Sequence, residues 1–69
     1  MGKKRKGRQA RPQQVEAWLT EAERQVMDQS YESAVQTARR VLRHVPEGSK
    51  PCGEAQYYLG VALAMLQDF

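Results

Sequence analysis

Apolar residues recur with a helical period in three successive stretches of the chain. In the first stretch they lie three or four positions apart, or side by side, with charged residues between them: Val15, Trp18, Leu19, Ala22, Val26 and Met27. An α-helix has about 3.6 residues per turn, so this spacing places all six on one side. The pattern therefore predicts an amphipathic helix over residues 13–28.

A second stretch repeats the pattern after a polar break at residues 28–30. Its apolar positions again form one stripe: Tyr31, Ala34, Val35, Ala38, Val41, Leu42 and Val45. Ser30 is a favoured N-cap residue type, and Pro46 cannot continue a helix. We expect a second helix over residues 31–45, with Ser30 as its cap, followed by a loop that is rich in proline and glycine up to Gly53.

The third stretch has no polar side. Between Tyr57 and Leu66 every residue is apolar or glycine, and no charged residue lies between Glu54 and Asp68. A helix that is apolar nearly all round is typical of an element with neighbours on several sides. The sequence predicts a third helix over residues 52–67 that needs a further partner, which could be a second copy of the chain packed against this helix.

The basic residues are concentrated before the first helix. Residues 1–11 hold six cations and no acid: Lys3, Lys4, Arg5, Lys6, Arg8 and Arg11. The rest of the chain has five basic and eight acidic side chains, a net charge of −3. Without apolar periodicity, nothing offsets the entropy lost when such a segment is ordered. We expect a disordered basic arm over residues 1–12 and a helical region over residues 13–69.

Composition excludes several classes of function. A chain of 69 residues is too short for an enzyme with a deep cleft and a separate substrate domain. His44 and Cys52 are the only histidine and cysteine, so we predict neither a catalytic group, nor a metal site, nor a bound cofactor. The longest apolar run is far shorter than the about 20 residues that span a bilayer, so no membrane association is expected. Cys52 has no disulfide partner within the chain, which favours an intracellular protein.

The chain also resembles itself at a shift of 38 positions. Six aligned steps share an identity or a chemical type: Glu16-Ala17 with Glu54-Ala55, Ala22 with Gly60, Met27 with Met65, Gln29 with Gln67, Ser30 with Asp68, and Tyr31 with Phe69. The alignment pairs two small residues at one step, Ala22 and Gly60, and two aromatic residues at another, Tyr31 and Phe69. This self-similarity indicates a repeated helical unit.

The unit resembles the tetratricopeptide repeat, a helix-turn-helix motif of about 34 residues. The residues that carry the resemblance are Trp18, Ala22, Tyr31, Ala34 and Pro46 in a first copy, and Leu59 and Gly60 in a second. Glu21, Gln25 and Ala38 depart from the family pattern. The shift of 38 leaves four extra residues, which we place in the loop from Gly48 to Gly53.

The resemblance implies an all-α fold, a fragment of a right-handed α-solenoid. It would comprise three helices, one full repeat and the first helix of another. Because such arrays need about three repeats, we expect the array to be truncated or partial, or completed by a partner. An ordinary three-helix bundle is the alternative.

In this family the first helix of each repeat lines a concave binding surface. The residues at those positions here are Leu19, Glu23, Tyr57 and Val61. They lack the lysine and asparagine with which one subclass grips a terminal carboxylate. They favour instead a helical or basic peptide as the bound protein client.

These features together predict a non-enzymatic interaction module, an adaptor or assembly chaperone. The basic start also resembles that of repeat proteins that escort a ribosomal protein to assembly. The arm is dense enough for an import signal, which predicts the nucleus or nucleolus as well as the cytoplasm. It lacks aromatic residues for base stacking, so nucleic acid would bind only weakly and nonspecifically. The alternative function is a small RNA- or ribosome-associated protein that binds through the arm, with helices that only dimerise.

Overall fold

The computed structural model describes residues 11–67, and they form three α-helices in chain order. They are α1 (Pro12–Met27), α2 (Tyr31–His44) and α3 (Lys50–Gln67). No strand occurs within these residues. The prediction of an all-α fold with three helices is therefore confirmed. The basic residues from Lys3 to Arg8 lie outside the described residues, as do Asp68 and Phe69.

Helix α1 begins one residue earlier than expected, at Pro12, and Arg11 is its N-cap. Proline suits the first helical position, because its ring fixes a helical φ and its missing N–H would have no partner there. The expected arm ended at Pro12 because the apolar periodicity begins only after it. The arm region and the helical region therefore meet at Arg11.

Helix α1 ends in a Schellman motif. The N–H of Ser30 donates to the carbonyl of Gln25 at 2.8 Å, and the N–H of Gln29 donates to that of Val26 at 3.0 Å. Gln29 itself adopts a left-handed φ of 66°. Glycine usually occupies this position, because a Cβ is disfavoured there. Ser30 lies at the N-cap of α2, but its side chain makes no capping hydrogen bond, contrary to the prediction.

The loop before α3 is shorter than the sequence suggested. It spans residues 45–49, and α3 begins at Lys50, two residues before the predicted start. Gly48 has a φ of 82°, and the N–H of Ser49 donates to the carbonyl of Pro46 at 3.2 Å, closing a turn. Within the segment from Gly48 to Gly53, where the four extra residues were expected to form a loop, residues 50–53 form the first turn of α3.

Ser49 lies immediately before α3 and caps its first turn. Its Oγ accepts a hydrogen bond from the N–H of Cys52 at 3.3 Å and donates one to the carbonyl of Pro46 at 2.7 Å. The first bond satisfies one of the four N–H groups that have no partner within the helix. Pro51, near the start of the helix, needs no such partner.

The three helices pack against one another around a core of small side chains. Each helix contacts both others, and α2 makes the larger contacts, with α1 and with α3. Five alanines are completely buried: Ala22, Ala34, Ala38, Ala55 and Ala62. The largest side chain that is fully buried is Val41. Small residues let helix axes approach closely, but each buries little apolar surface, so we expect modest stability.

The core has two parts along the helices. One lies near the loop and contains Val15, Leu19, Val41 and Ala55, with Trp18 and Tyr58 at its edge. The other lies near the turn between α1 and α2 and contains the following buried and half-buried residues: Ala34, Val35, Ala62, Val26, Tyr31, Leu59, Leu63 and Leu66. All three helices contribute to both parts, so α3 completes the core that α1 and α2 begin.

Candidate protein-interaction surface

The residues that carry the repeat resemblance differ in burial. Ala22 and Ala34 are completely buried, and Trp18, Tyr31 and Leu59 are half-buried. Pro46 is exposed and lies in the loop after α2, next to the C-cap residue Val45. Gly60 is exposed as well, and a Cβ built on it would meet no atom within 4 Å.

Trp18 of α1 packs against the last turns of α2. Its ring centroid lies 5.3 Å from that of His44 at an interplanar angle of 49°, and the Arg40 guanidinium lies 5.6 Å from the indole centroid. A cation at that distance is attracted by the negative face of the ring. Trp18 therefore ties α2 to α1, and we give it a structural role.

A hydrogen bond between side chains crosses the same pair of helices. The Thr37 hydroxyl donates to Oε1 of Gln25 at 2.8 Å, and Nε2 of Gln25 donates to Glu21 at 3.3 Å. Gln25 occupies a position where the repeat family has an aromatic residue. A polar contact to α2 therefore stands where the family pattern has an apolar one.

A shallow groove runs between α1 and α3. Its walls are formed by Glu16, Leu19, Thr20, Glu23, Glu54 and Tyr58, and its volume is ≈ 260 Å³. Three of these side chains are carboxylates, and none is basic. The groove is therefore acidic, with the edge of the core at its base.

Tyr58 reports on the charge in this groove. Burial raises the pKa of the Tyr58 hydroxyl above its ordinary value of 10.0, and the carboxylates of Glu23 and Glu54 raise it further, with a smaller effect from Tyr57. A negative phenolate is disfavoured both by poor solvation and by neighbouring negative charge. A positive group would be favoured at the same place.

The structure separates the four residues proposed from the family pattern. Leu19 and Glu23 line the groove, although Leu19 is only 8 % exposed and belongs mainly to the core. Tyr57 is 67 % exposed and Val61 is half-buried, and neither lines the groove. The Tyr57 ring meets that of Tyr58 edge to face, with the centroids 5.5 Å apart.

Glu54 and Tyr58 face α1 in place of the expected pair, and the sequence analysis did not select them. They lie four residues apart, one helical turn, which is a signal the sequence contains. The family register pointed to the neighbouring stripe because Tyr57 and Val61 follow Leu19 and Glu23 by 38 positions, and because apolar residues cover most of the surface of α3. The apolar pattern of α3 therefore does not show which of its residues are buried.

The outer side of α3 is a second candidate surface. It consists of Tyr57, Gly60, Val61, Ala64 and Met65, and we call it the open face. None of these residues is charged. Met65 is 37 % exposed, and only Met27 and Tyr57 are more exposed among the large apolar residues that the structure describes.

Comparisons of the chain with protein-family models, curated proteins and solved structures found no significant match. Within residues 11–67, no three His, Cys, Asp or Glu side chains come together as metal ligands. None of the three helices combines the length and the apolar character needed to cross a bilayer.

Proposed function

We propose that this chain is a protein-interaction module of tetratricopeptide type, acting as an adaptor or assembly chaperone. The observation that carries the proposal is the open face of α3. A helix without a charged residue from Ala55 to Gln67 keeps Tyr57 and Met65 exposed, although its other side already completes the core. Contiguous apolar surface of this kind is typical of sites where another protein packs.

The tetratricopeptide arrangement is supported by burial at the repeat positions. Ala22 and Ala34 are fully buried where a first and a second helix must approach closely, and α1 also contacts α3, as successive first helices do in a solenoid. In an array of this kind the next second helix would cover the open face. A right-handed solenoid fragment therefore accounts for both the buried and the open sides.

The proposed client is a protein or peptide of basic character, for example a ribosomal protein. The helical region has a net charge of −3 from residue 12 onward, and the groove contains three carboxylates. An acidic surface speeds encounter with a basic partner and shields its charge before assembly. The basic arm would direct the chain to the nucleus or nucleolus, with a cytoplasmic pool.

A matched pair of variants tests the role of the open face. Met65 and Met27 occupy equivalent positions of the repeat, and both are exposed, but only Met65 belongs to the open face. The tagged full chain, the variant Tyr57→Ser with Met65→Ser, and the control Met27→Ser would be compared by quantitative cross-linking mass spectrometry in cells. Circular dichroism would confirm that all three fold.

We expect the yield of cross-linked protein partners to fall about tenfold in the double variant, since burial of one large side chain contributes about 1.5–3 kcal/mol. Met27→Ser should keep them. Equal recovery of partners from the double variant and the control would contradict the proposal.

The second candidate is a small RNA- or ribosome-associated protein whose helices only dimerise through α3. The six cations of residues 1–11 favour it. RNA retention that falls steeply with salt, and disappears when residues Lys3 to Lys6 are replaced by alanine, would support this function. Retention of protein partners by the same variant would support the first. Sedimentation velocity of Tyr57→Ser reports whether α3 forms a dimer.

A further inference from the structure

The groove between α1 and α3 widens into an apolar cleft at the end where both helices begin. The cleft has a volume of ≈ 500 Å³. It shares Glu16, Leu19 and Glu54 with the groove, so the two form one continuous surface. Proteins hold small ligands in cavities of about 300–1,000 Å³, so this cleft has room for one large side chain.

Apolar side chains and proline rings from α1, α3 and the loop between α2 and α3 line the cleft. They are Pro12, Val15, Leu19, Val45, Pro46 and Pro51. Val15 and Leu19 are buried from water, whereas Pro12 and Pro46 are exposed. Pro12 and Pro51 lie in the first turns of α1 and α3, and Pro46 lies in the loop, where the ring of each proline fixes its own backbone φ.

Charge is distributed unevenly around this surface. His44 and Lys50 lie at the cleft, whereas Glu16 and Glu54 lie where the cleft joins the groove, and Glu23 lies further along α1. Glu16 and Glu23 are seven residues apart, about 10 Å along a helix. An extended peptide covers that distance in about three residues. Cations that follow an apolar anchor would therefore lie beside the carboxylates.

We infer that this surface binds an extended segment of a partner protein in which one large apolar side chain is followed by several lysines or arginines. The inference rests on the proposed function and specifies its partner. The apolar side chain enters the cleft, and the cations lie along Glu16, Glu54 and Glu23. Because these carboxylates are exposed, their attraction for a cation should weaken as the salt concentration rises.

The chain's own arm is the competing occupant, because Met1 precedes the five cations of residues 3–8. Nucleic acid fits less well, because its phosphates would face three carboxylates. We assign the surface to a separate protein segment because the proposed function requires a basic client, and replacing the basic residues of the arm distinguishes the two occupants.

Fluorescence anisotropy with the full chain and a labelled peptide tests the inference. The probe is acetyl-Leu-Ala-Lys-Ala-Lys-Ala-Lys with a C-terminal label on a glycine linker. One comparison peptide has serine in place of leucine, and another has glutamine in place of the three lysines. We expect each to bind about tenfold more weakly, because each lacks one of the two contributions.

Matched protein variants locate the binding site. Glu16→Gln combined with Glu54→Gln should weaken the probe at least fivefold and reduce the salt dependence. Glu21→Gln combined with Glu32→Gln removes the same charge from exposed positions that do not line the cleft or the groove, and it should leave binding unchanged. Equal weakening by both pairs would mean a general charge effect and would overturn the inference.

Two further results would overturn it. One is equal affinity for the leucine and serine peptides, because the cleft would then hold nothing. The other is at least tenfold tighter probe binding when Lys3, Lys4, Arg5 and Lys6 are all replaced by alanine, because the arm would then be the resident occupant. Neither result bears on the open-face variants Tyr57→Ser and Met65→Ser. The proposed function can therefore hold even if this inference fails.

Discussion

Helices α1 and α3 resemble each other in sequence at a shift of 38 residues, yet they differ in what covers them. Ala22 of α1 is completely buried, whereas Gly60, the residue 38 positions later, is exposed with open space where a Cβ would be. Both are small residues, but only Ala22 has a packing reason to be small in this structure. The difference shows that a small residue can lie on an exposed helix surface as well as at a close contact between helices.

The largest expected effect comes from adding the same side chain at both positions. Ala22→Leu should destabilise the fold by about 3 kcal/mol, because the added atoms must displace packed neighbours. Gly60→Leu should stabilise it by about 0.5–1 kcal/mol, because leucine favours a helix over glycine and meets open space. Urea unfolding at low protein concentration, followed by circular dichroism, measures both. Equal destabilisation would show that α3 is covered as α1 is.

The starts of the helices provide a smaller difference. Ser49→Ala should cost about 1 kcal/mol, since it removes the hydrogen bond from the N–H of Cys52 that caps α3. Ser30→Ala should change the free energy of unfolding by less than about 0.5 kcal/mol, because the Ser30 side chain makes no capping bond. Thermal unfolding of the two variants compares them directly, and a larger loss for Ser30→Ala would contradict the structure.

The helix ends differ in the same way. Gln29→Gly should stabilise the fold by about 0.5–1 kcal/mol, because Gln29 has a left-handed φ of 66° after α1. Gln67, which lies 38 positions later, is the last helical residue of α3, where glycine should have an effect of at most about 0.5 kcal/mol in the opposite direction. Chemical denaturation measures both, and a destabilised Gln29→Gly would argue against the Schellman motif.

The smallest effect is a dependence on alkaline pH that α3 has and α1 lacks. Tyr58 corresponds to Thr20, which does not titrate. Because the pKa of Tyr58 is raised in the folded chain, the folded state holds this proton more tightly than the unfolded state does. This contribution to stability is complete below pH 10 and is lost as the pH rises through the folded pKa.

Tyrosinate absorbance during an alkaline titration measures this pKa. Glu23→Gln combined with Glu54→Gln should lower it toward its ordinary value, leaving the part that is due to burial. Tyr58→Phe is the control that identifies the transition. An unchanged titration in the double variant would mean that the two carboxylates do not face Tyr58.

The sequence predicted the helices well where one stripe of apolar residues stood against a polar side. The stripe of α2 from Tyr31 to Leu42 is buried or half-buried as expected. The sequence could not predict which side of α3 is buried, because nearly all of the residues of that helix are apolar. It also missed Ser49 as a cap, since Pro51 and Gly53 looked like loop residues although both fit the first turn of a helix.

The surface was harder to predict than the fold. Glu23 followed from the family pattern, but the cleft at Pro12, Pro46 and Pro51 depends on three distant segments meeting. Tyr58 lies beside Glu23 only because α3 packs against α1 at a particular rotation, which a sequence alone does not specify. The sequence shows that the chain has glutamates. Only the structure shows that Glu16, Glu23 and Glu54 line the same groove.

The position of Trp18 has a practical consequence for experiments on folding. It is the only tryptophan in the chain, and it packs against Arg40 and His44 of α2. Tyr57 and Tyr58 belong to α3, and the third tyrosine, Tyr31, belongs to α2. Indole emission therefore reports on the first pair of helices, and tyrosine signals report on the third once Tyr31 is replaced by phenylalanine. A difference between the two unfolding midpoints would then reveal whether the last helix detaches before the first two separate.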